Sequence, residues 1–390
     1  MKLASKHHCS GCSACHDACP KNAIVMVADE EGFLYPRIDE AKCVRCGLCE
    51  KVCPSLNRDL PRTPLAVYAA KAKDDELRLK SSSGGVFSLL AQQVLARGGV
   101  VYGAGFDHAD WHVMHKSAEN ENELGDLRGS KYVQSDVRGI YASVRSQLIS
   151  DREVLFSGTP CQVAGLRRYL NILKVDVSKL LLVDVVCHAV PSPLAWRKYL
   201  DERLAKTGPG AIIRRIAFRH KNCGWKRYSL SLCFADDKEY RCDLREDTFL
   251  RGFLSELYNR PSCHDCQCRE LRSGSDLTIA DYWSVHEKFP EMDDDCGTSL
   301  VLVNTDFGRS RLDAIGSQVS LVESDFSDAV RVNQSIVRSS GPHLSRTMFF
   351  KRLDKAGESF DCSVFKLLEP PIYKRVRAFC GRILRVLRLR

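Results

Sequence analysis

Past residue 64, short runs of consecutive apolar residues alternate with longer stretches whose apolar positions recur every three or four residues. Ala66–Lys71 reads as a strand. A helix follows, with Val86, Phe87, Leu90, Val94 and Leu95 on one face; Gly98-Gly99 stops it, and Val100–Phe106 returns as a strand. Val154–Phe156 and Leu180–Val186 read as fully buried strands, and Glu246–Tyr258 as a helix. Alternation of this kind predicts an α/β (α+β) body built in layers. Ahead of it, Ala23–Val27 and Leu34–Ile38 read as two short strands around a turn at Glu31-Gly32. Ser55–Pro64, with two prolines and no apolar periodicity, reads as a linker.

The cysteines give the small N-terminal unit its chemistry. Eight of the chain's 19 cysteines fall in two runs, Cys9-x2-Cys12-x2-Cys15-x3-Cys19-Pro20 and Cys43-x2-Cys46-x2-Cys49-x3-Cys53-Pro54, repeated with a shift of 34 residues. Two-residue gaps let three thiolates reach three corners of one cubane, while the fourth cysteine of each run crosses to the other cluster. Residues 1–55 are therefore read as a bacterial-type ferredoxin module with two 4Fe-4S clusters, one on Cys9, Cys12, Cys15 and Cys53, the other on Cys43, Cys46, Cys49 and Cys19. Zinc also takes Cys-x2-Cys pairs, but does not need two complete tandem runs.

Several turns of the body carry residues suited to ligands. Ser81-Ser82-Ser83-Gly84-Gly85 opens a helix and offers backbone N–H groups to a phosphate, although an ordinary N-cap reads the same way. No Gly-x-Gly-x-x-Gly fingerprint follows a strand, so a standard dinucleotide-binding unit is not expected. In Ser157–Gln162, Thr159 suits an N-cap and Pro160 the first helical position. Cys161 then lies in the first turn, where the helix dipole favours a thiolate. Cys187-His188 ends another strand, and Cys263-x2-Cys266 comes later with Cys268 beside it. Alone, such a pair is ambiguous among zinc, a redox disulfide and a cluster. If the fold gathers them, Cys161, Cys187, Cys263 and Cys266 make four ligands for a third cluster. Cys223, Cys233, Cys242, Cys296, Cys362 and Cys380 read as buried or incidental thiols.

Taken in order, Lys80–Phe87 (KSSSGGVF), Gly129–Ser135 (GSKYVQS), Ser157–Leu166 (SGTPCQVAGL), Cys187–Pro193 (CHAVPSP), Cys263–Cys266, Asp276–Trp283 (DLTIADYW) and Gly297–Thr305 (GTSLVLVNT) resemble the coenzyme F420 hydrogenase/dehydrogenase beta-subunit family, in its bacterial branch with a ferredoxin module. The resemblance implies family regions at 65–148 and 149–325, followed by an extension at 326–390. It implies a flavin, FAD, beside a third 4Fe-4S cluster on Cys161, Cys187, Cys263 and Cys266. The flavin pocket would include Ser81, Ser82, Ser83, Gly84, Gly85, Lys131, Tyr132, Ser157, Gly158 and Thr159, with Lys131 facing a reduced, anionic flavin. His188 would relay protons or serve as a satisfied structural histidine. Ala189 stands where relatives often have glycine, and Cys268 is an extra thiol that competes for a ligand position. The implied activity is an iron–sulfur flavoprotein oxidoreductase, or else a non-catalytic electron-transfer subunit of a larger redox complex. Partners would be ferredoxin or another redox subunit and an organic substrate or coenzyme, with coenzyme F420 among the candidates; no catalytic residue is singled out.

Composition narrows the remaining choices. With 44% hydrophobic and 27% charged residues the chain has the balance of a soluble globular protein. No run approaches the ~20 apolar residues of a membrane span and no apolar leader follows Met1, so a cytoplasmic location is expected. The formal charge of +9 is concentrated at the end, where Lys374, Arg375, Arg377, Arg382, Arg385, Arg388 and Arg390 meet no acid. Ile372, Val376, Phe379, Ile383, Val386 and Leu387 recur there at helical spacing. This basic amphipathic tail suits a membrane surface or an acidic partner, and no recognition motif points to nucleic acid.

Overall fold

The computed structural model describes residues 2–355 and 357–369, so the basic tail and Cys380 lie outside the described residues. Near the N-terminus β1 (Ile24–Ala28) and β2 (Leu34–Ile38) pair antiparallel, Ile24 opposite Ile38. The Asp29 carboxylate closes their turn by accepting from the N–H groups of Glu31 and Phe33 at 3.1 and 2.9 Å. Gly32 takes φ +82° and lies so close to Leu194 that a Cβ would stand 2.6 Å from that residue's own. The hairpin is thus pressed onto the body at its turn.

The body is built on a sheet of β3 (Ala66–Ala72), β4 (Val100–Phe106), β5 (Val113–Ala118), β6 (Val154–Gly158) and β7 (Leu180–Val185). A separate three-stranded antiparallel sheet contains β8 (Ile213–His220), β9 (Ser229–Phe234) and β10 (Glu239–Asp243). The main sheet is completed by β11 (Leu277–Asp281), β12 (Ser299–Val303) and β13 (Val319–Ser324), giving eight strands in the order β13-β3-β12-β11-β7-β6-β4-β5. β4, β6, β7 and β11 are parallel neighbours. β3 shares their direction, because both it and β11 run antiparallel to β12. The carboxyl ends of five strands therefore meet at one edge, the place where open α/β sheets hold ligands.

Burial on both faces explains the unbroken apolar runs. On one face Val86, Leu89, Leu90 and Val94 of the Val86–Ala96 helix pack on Leu155, Leu181, Val183 and Val301. On the other, Val163, Leu166 and Leu170 of the Pro160–Ile172 helix cover Val154, Phe156, Leu180 and Leu182. Cys12, Ala14, Ala18 and Val52 of the N-terminal module join that cluster, so module and body share a core. The three-stranded sheet closes over an aromatic group that includes Trp196, Phe218, Phe249 and Tyr258.

Two readings of the sequence change. The helix expected over Glu246–Tyr258 spans only Thr248–Leu254. It ends because Glu256 adopts φ +61° and the chain folds back, laying the Tyr258 ring over Gly252, where a Cβ would meet it at 2.3 Å. The linker is pinned: the Asp59 carboxylate takes hydrogen bonds from Arg167 and, at 2.6 Å, from Arg168, while Arg272 donates to the Asp59 carbonyl at 2.5 Å. No helix among the described residues is long and apolar enough to cross a membrane.

Candidate iron–sulfur relay and sheet-edge crevice

Each of the four Cys-x2-Cys loops of the N-terminal module contains a left-handed residue: Gly11 at φ +68°, Ser13 at φ +59°, Arg45 at φ +52° and Gly47 at φ +78°. These tight reversals wrap the loops around two pockets. Cys9, Cys12, Cys15, Cys53 and Cys49 line one of about 370 Å³, with Met26 and Pro36. Cys19, Cys43, Cys46 and Cys49 line the other, of about 340 Å³, with Ile24 and Ile38. Cys53 thus stands at the pocket of the first run and Cys19 at that of the second. Cys9 and Cys12 are buried, whereas Cys46 is exposed, so the second pocket is the outer one.

The cysteines suit clusters better than disulfides or single ions. All those in the described residues are free, and no three of their sulfurs lie within 4.8 Å of one another. A tetrahedral zinc with Zn–S bonds of about 2.3 Å holds its thiolates under about 4 Å apart. Burial, followed by neighbouring thiols such as Cys53, pushes Cys12 far above the ordinary thiol range. Thiolates this crowded need positive charge among them, which cluster iron supplies.

The fold gathers a third group. Thr159 and Gln162 form a capping box at the start of the Pro160–Ile172 helix, placing Cys161 in its first turn. Cys187 follows the end of β7, Cys263 lies within the short turn of Pro261–Asp265, and Cys266 directly follows that turn. These four thiols are fellow neighbours: Cys161 feels Cys266, Cys187 feels Cys263, Cys161 and Cys266, and Cys263 feels Cys266 and Cys161. The helix terminus does not control Cys161 as its position suggests. Burial and then Cys266 raise its thiol, and the same two causes push Cys263 up to about 12. Cys268, also buried, adjoins Cys266 and Cys161 on one side and Cys12 and Cys53 on the other. Cys12 also feels Cys161, and Cys15 feels Cys49, so the first-run thiols neighbour both the second-run thiols and the third group.

Beside the innermost group lies the sheet-edge crevice. Ser130 donates to Ser82 at 2.9 Å, joining two of the sequence motifs. Ser81 bonds the Leu77 carbonyl at 2.8 Å, and Ser83 the Thr298 carbonyl at 2.9 Å. The Gly84 N–H, expected from the sequence to be open to a phosphate, is taken by Ser299 at 2.9 Å; a Cβ there would stand 2.3 Å from the Ala70 carbonyl. Gly85 caps the helix at φ +86°. Lys131 donates to the carbonyls of Asp126 and Arg128, both at 2.8 Å, and enclosure by protein lowers its ammonium to about 7. Tyr132 packs against Phe253 and Phe218 at ring distances of 5.0 and 5.6 Å. Buried His115, brought down to about 4 by desolvation and hence neutral, meets the Ser157 carbonyl at 3.0 Å. Gly158 ends β6, and Thr159 lies 3.2 Å from the Cys161 sulfur, so crevice and thiols share one loop. His188 contacts Glu256 at 2.6 Å and the edge of Phe253.

Sequence reasoning missed the other wall. Arg219 of β8 lies against the rings of Tyr228 and Trp283, 4.6 and 5.3 Å from their centroids, and one of its nitrogens bonds Asp281. Its Nε and Nη2 are buried with no hydrogen-bond partner among the described residues. Lys221 reaches the carbonyls of Arg78 and Cys296 at 2.7 Å and that of Ser83 at 3.4 Å. Two unmatched donors beside aromatic rings fit the anionic oxygens of a flavin. Only the Asp276–Trp283 motif pointed toward this wall.

Residues 8–57 match the 4Fe-4S dicluster domain model. Residues 67–140 match the model of the coenzyme F420 hydrogenase/dehydrogenase beta subunit N-terminus, and residues 151–328 that of its C-terminus. An uncharacterized ferredoxin of Methanocaldococcus jannaschii is 34% identical over 53 residues, 14% of this chain and 68% of that protein. A chain of the xenon-derivatised F420-reducing [NiFe] hydrogenase complex from Methanosarcina barkeri aligns with TM-score 0.49 and 16% identity, over 75% of this chain and 93% of that one. The protein is an iron–sulfur electron-transfer protein, and it belongs to the coenzyme F420 hydrogenase/dehydrogenase beta-subunit family, with a 4Fe-4S dicluster domain at its N-terminal end.

Proposed function

We propose that the chain is an iron–sulfur flavoprotein oxidoreductase carrying electrons between a redox protein and an organic substrate or coenzyme. The observation supporting this reading is that three cysteine groups neighbour one another, from exposed Cys46 to Cys161 at the sheet edge. In this reading Cys19, Cys43, Cys46 and Cys49 hold the outer 4Fe-4S cluster, and Cys9, Cys12, Cys15 and Cys53 the inner one. Cys161, Cys187, Cys263 and Cys266 hold the third. Ferredoxin or another redox subunit docks near Cys46.

FAD would be held by Ser81–Gly85, Lys131, Tyr132 and Ser157–Thr159. A bound flavin supplies the exchange between single electrons and electron pairs that clusters alone do not make. The chain's own groups prepare the site. Lys131, with an amine that titrates near 7, holds or releases a proton at Nζ. Tyr132 and Phe253 pack together at the site's apolar side, and neutral His115 fixes the Ser157 carbonyl.

Anaerobic purification of the full chain tests the reading. About 12 iron atoms, as three 4Fe-4S clusters require, together with bound FAD support it. About eight iron and no flavin overturn it. A second reading, an electron-transfer subunit without its own substrate, draws on the family's description as a beta subunit. Reduction of coenzyme F420 or another organic acceptor by the isolated chain separates the two.

A further inference from the structure

We propose that Arg219 anchors a phosphate group at the sheet edge, with the Ser81–Gly85 turn as the facing wall. The rings of Tyr228 and Trp283 lie 4.6 and 5.3 Å from the guanidinium carbon and wall it with aromatic surface. Asp281 takes the Nη1 end. The two unmatched donors, Nε and Nη2, share the remaining side-on edge, and two parallel N–H groups are the fork that receives two oxygens of a phosphate.

The surroundings carry net positive charge and suit an anion. Asp281 balances one charge, while Lys221, two residues beyond Arg219 and tied to the Ser83 carbonyl, adds another cation. Lys221 already donates to three carbonyls, so it positions the turn and supplies field more than contact. Asp281 lies opposite Ser299 in the β11–β12 pair, and Ser299 holds the N–H of Gly84. Arg219 is therefore one cross-strand step from the start of an 11-residue helix, whose terminus favours anions. The phosphate comes either from FAD itself, the arm that rests on the reading above, or from a phosphorylated organic substrate.

The test uses the full chain under anaerobic conditions, titrated with inorganic pyrophosphate while tryptophan fluorescence from the stacked Trp225–Trp283 pair is followed. Flavin-free protein is expected to bind. Arg219→Lys, which keeps the charge beside Asp281 but loses the fork, is expected to bind roughly tenfold or more weakly, as for loss of a charge-assisted hydrogen bond. Unchanged iron content verifies the fold; if that variant loses iron, Arg219→Gln combined with Asp281→Asn makes the same comparison. If FAD-loaded protein excludes pyrophosphate, and Arg219→Lys weakens FAD but not riboflavin, the phosphate is the flavin's own. If FAD-loaded protein still binds pyrophosphate, the phosphate belongs to the substrate. Absence of pyrophosphate binding by flavin-free wild type, equal binding by the variant, or equal competition by malonate overturns the site. A chain that takes no flavin but binds pyrophosphate through Arg219 defeats the flavin reading and leaves this one standing.

Discussion

Nε of Arg260 donates to the carbonyl of Cys9 across 2.8 Å, joining the body to the first cysteine of the N-terminal module. The same buried guanidinium donates to Gln134 at 2.7 Å and to the Leu34 carbonyl at 2.9 Å, and lies 4.3 Å from the Tyr35 ring centroid. Arg260→Met strands three acceptors, at about 1–3 kcal/mol each for buried groups left unpaired. A loss of roughly 3 kcal/mol or more in urea unfolding is expected. A change below about 1 kcal/mol would show that the seam does not depend on Arg260.

Gly165 sits where the Pro160–Ile172 helix meets the module, and a Cβ there would be 3.2 Å from the Cys12 sulfur and 3.0 Å from the Tyr141 hydroxyl. Gly165→Leu must displace the loop that carries Cys12. Iron content should fall by about four atoms, one 4Fe-4S cluster, with a matching loss in the reduced-state EPR signal. Retention of all iron and of the full signal would show that the interface yields elsewhere.

The position of Cys268 between two thiol groups makes its role separable from that of Cys266. Cys266→Ser should lower iron from about 12 to about 8 atoms, whereas Cys268→Ser should leave it near 12. The reverse pattern would make Cys268 the ligand.

Desolvation brings the Lys131 ammonium to about 7 from its ordinary 10.5. Between those values the unfolded chain binds more protons at this site than the folded one, so its contribution to stability rises with pH across the window; below pH 7 the penalty is fully present. Lys131→Met should therefore show a smaller gain in urea midpoint than wild type between pH 7 and pH 10. Identical pH slopes for the two proteins would disprove a depressed Lys131.

Much of this architecture is legible in the chain, for identifiable reasons. Strands β4 and β7 announce themselves because burial on both faces demands unbroken apolar runs, and Thr159-Pro160 marks its helix start by capping chemistry. Cysteine spacing is local, so the tandem runs carry their meaning without the fold. Arg219 carries no such mark: in Ile213–His220 it reads as one more polar strand position, and only the tertiary fold buries it against Tyr228 and Trp283. The overlong helix at Glu246–Tyr258 fails for a related reason. Its apolar period continues, but Tyr258 is claimed by the aromatic core and the backbone reverses at Glu256 to deliver it.

The anchoring of Asp59 to Arg167 and Arg168 bears on how current flows. A module hung on a slack tether delivers electrons by swinging, at a pace set by solvent viscosity and tether length. Here the segment is bolted to the helix that carries Cys161, so donor and acceptor keep a constant separation. In the proposed relay, transfer between module and body would proceed by tunnelling through fixed protein, indifferent to viscosity, and only the encounter with an outside partner would remain a matter of diffusion.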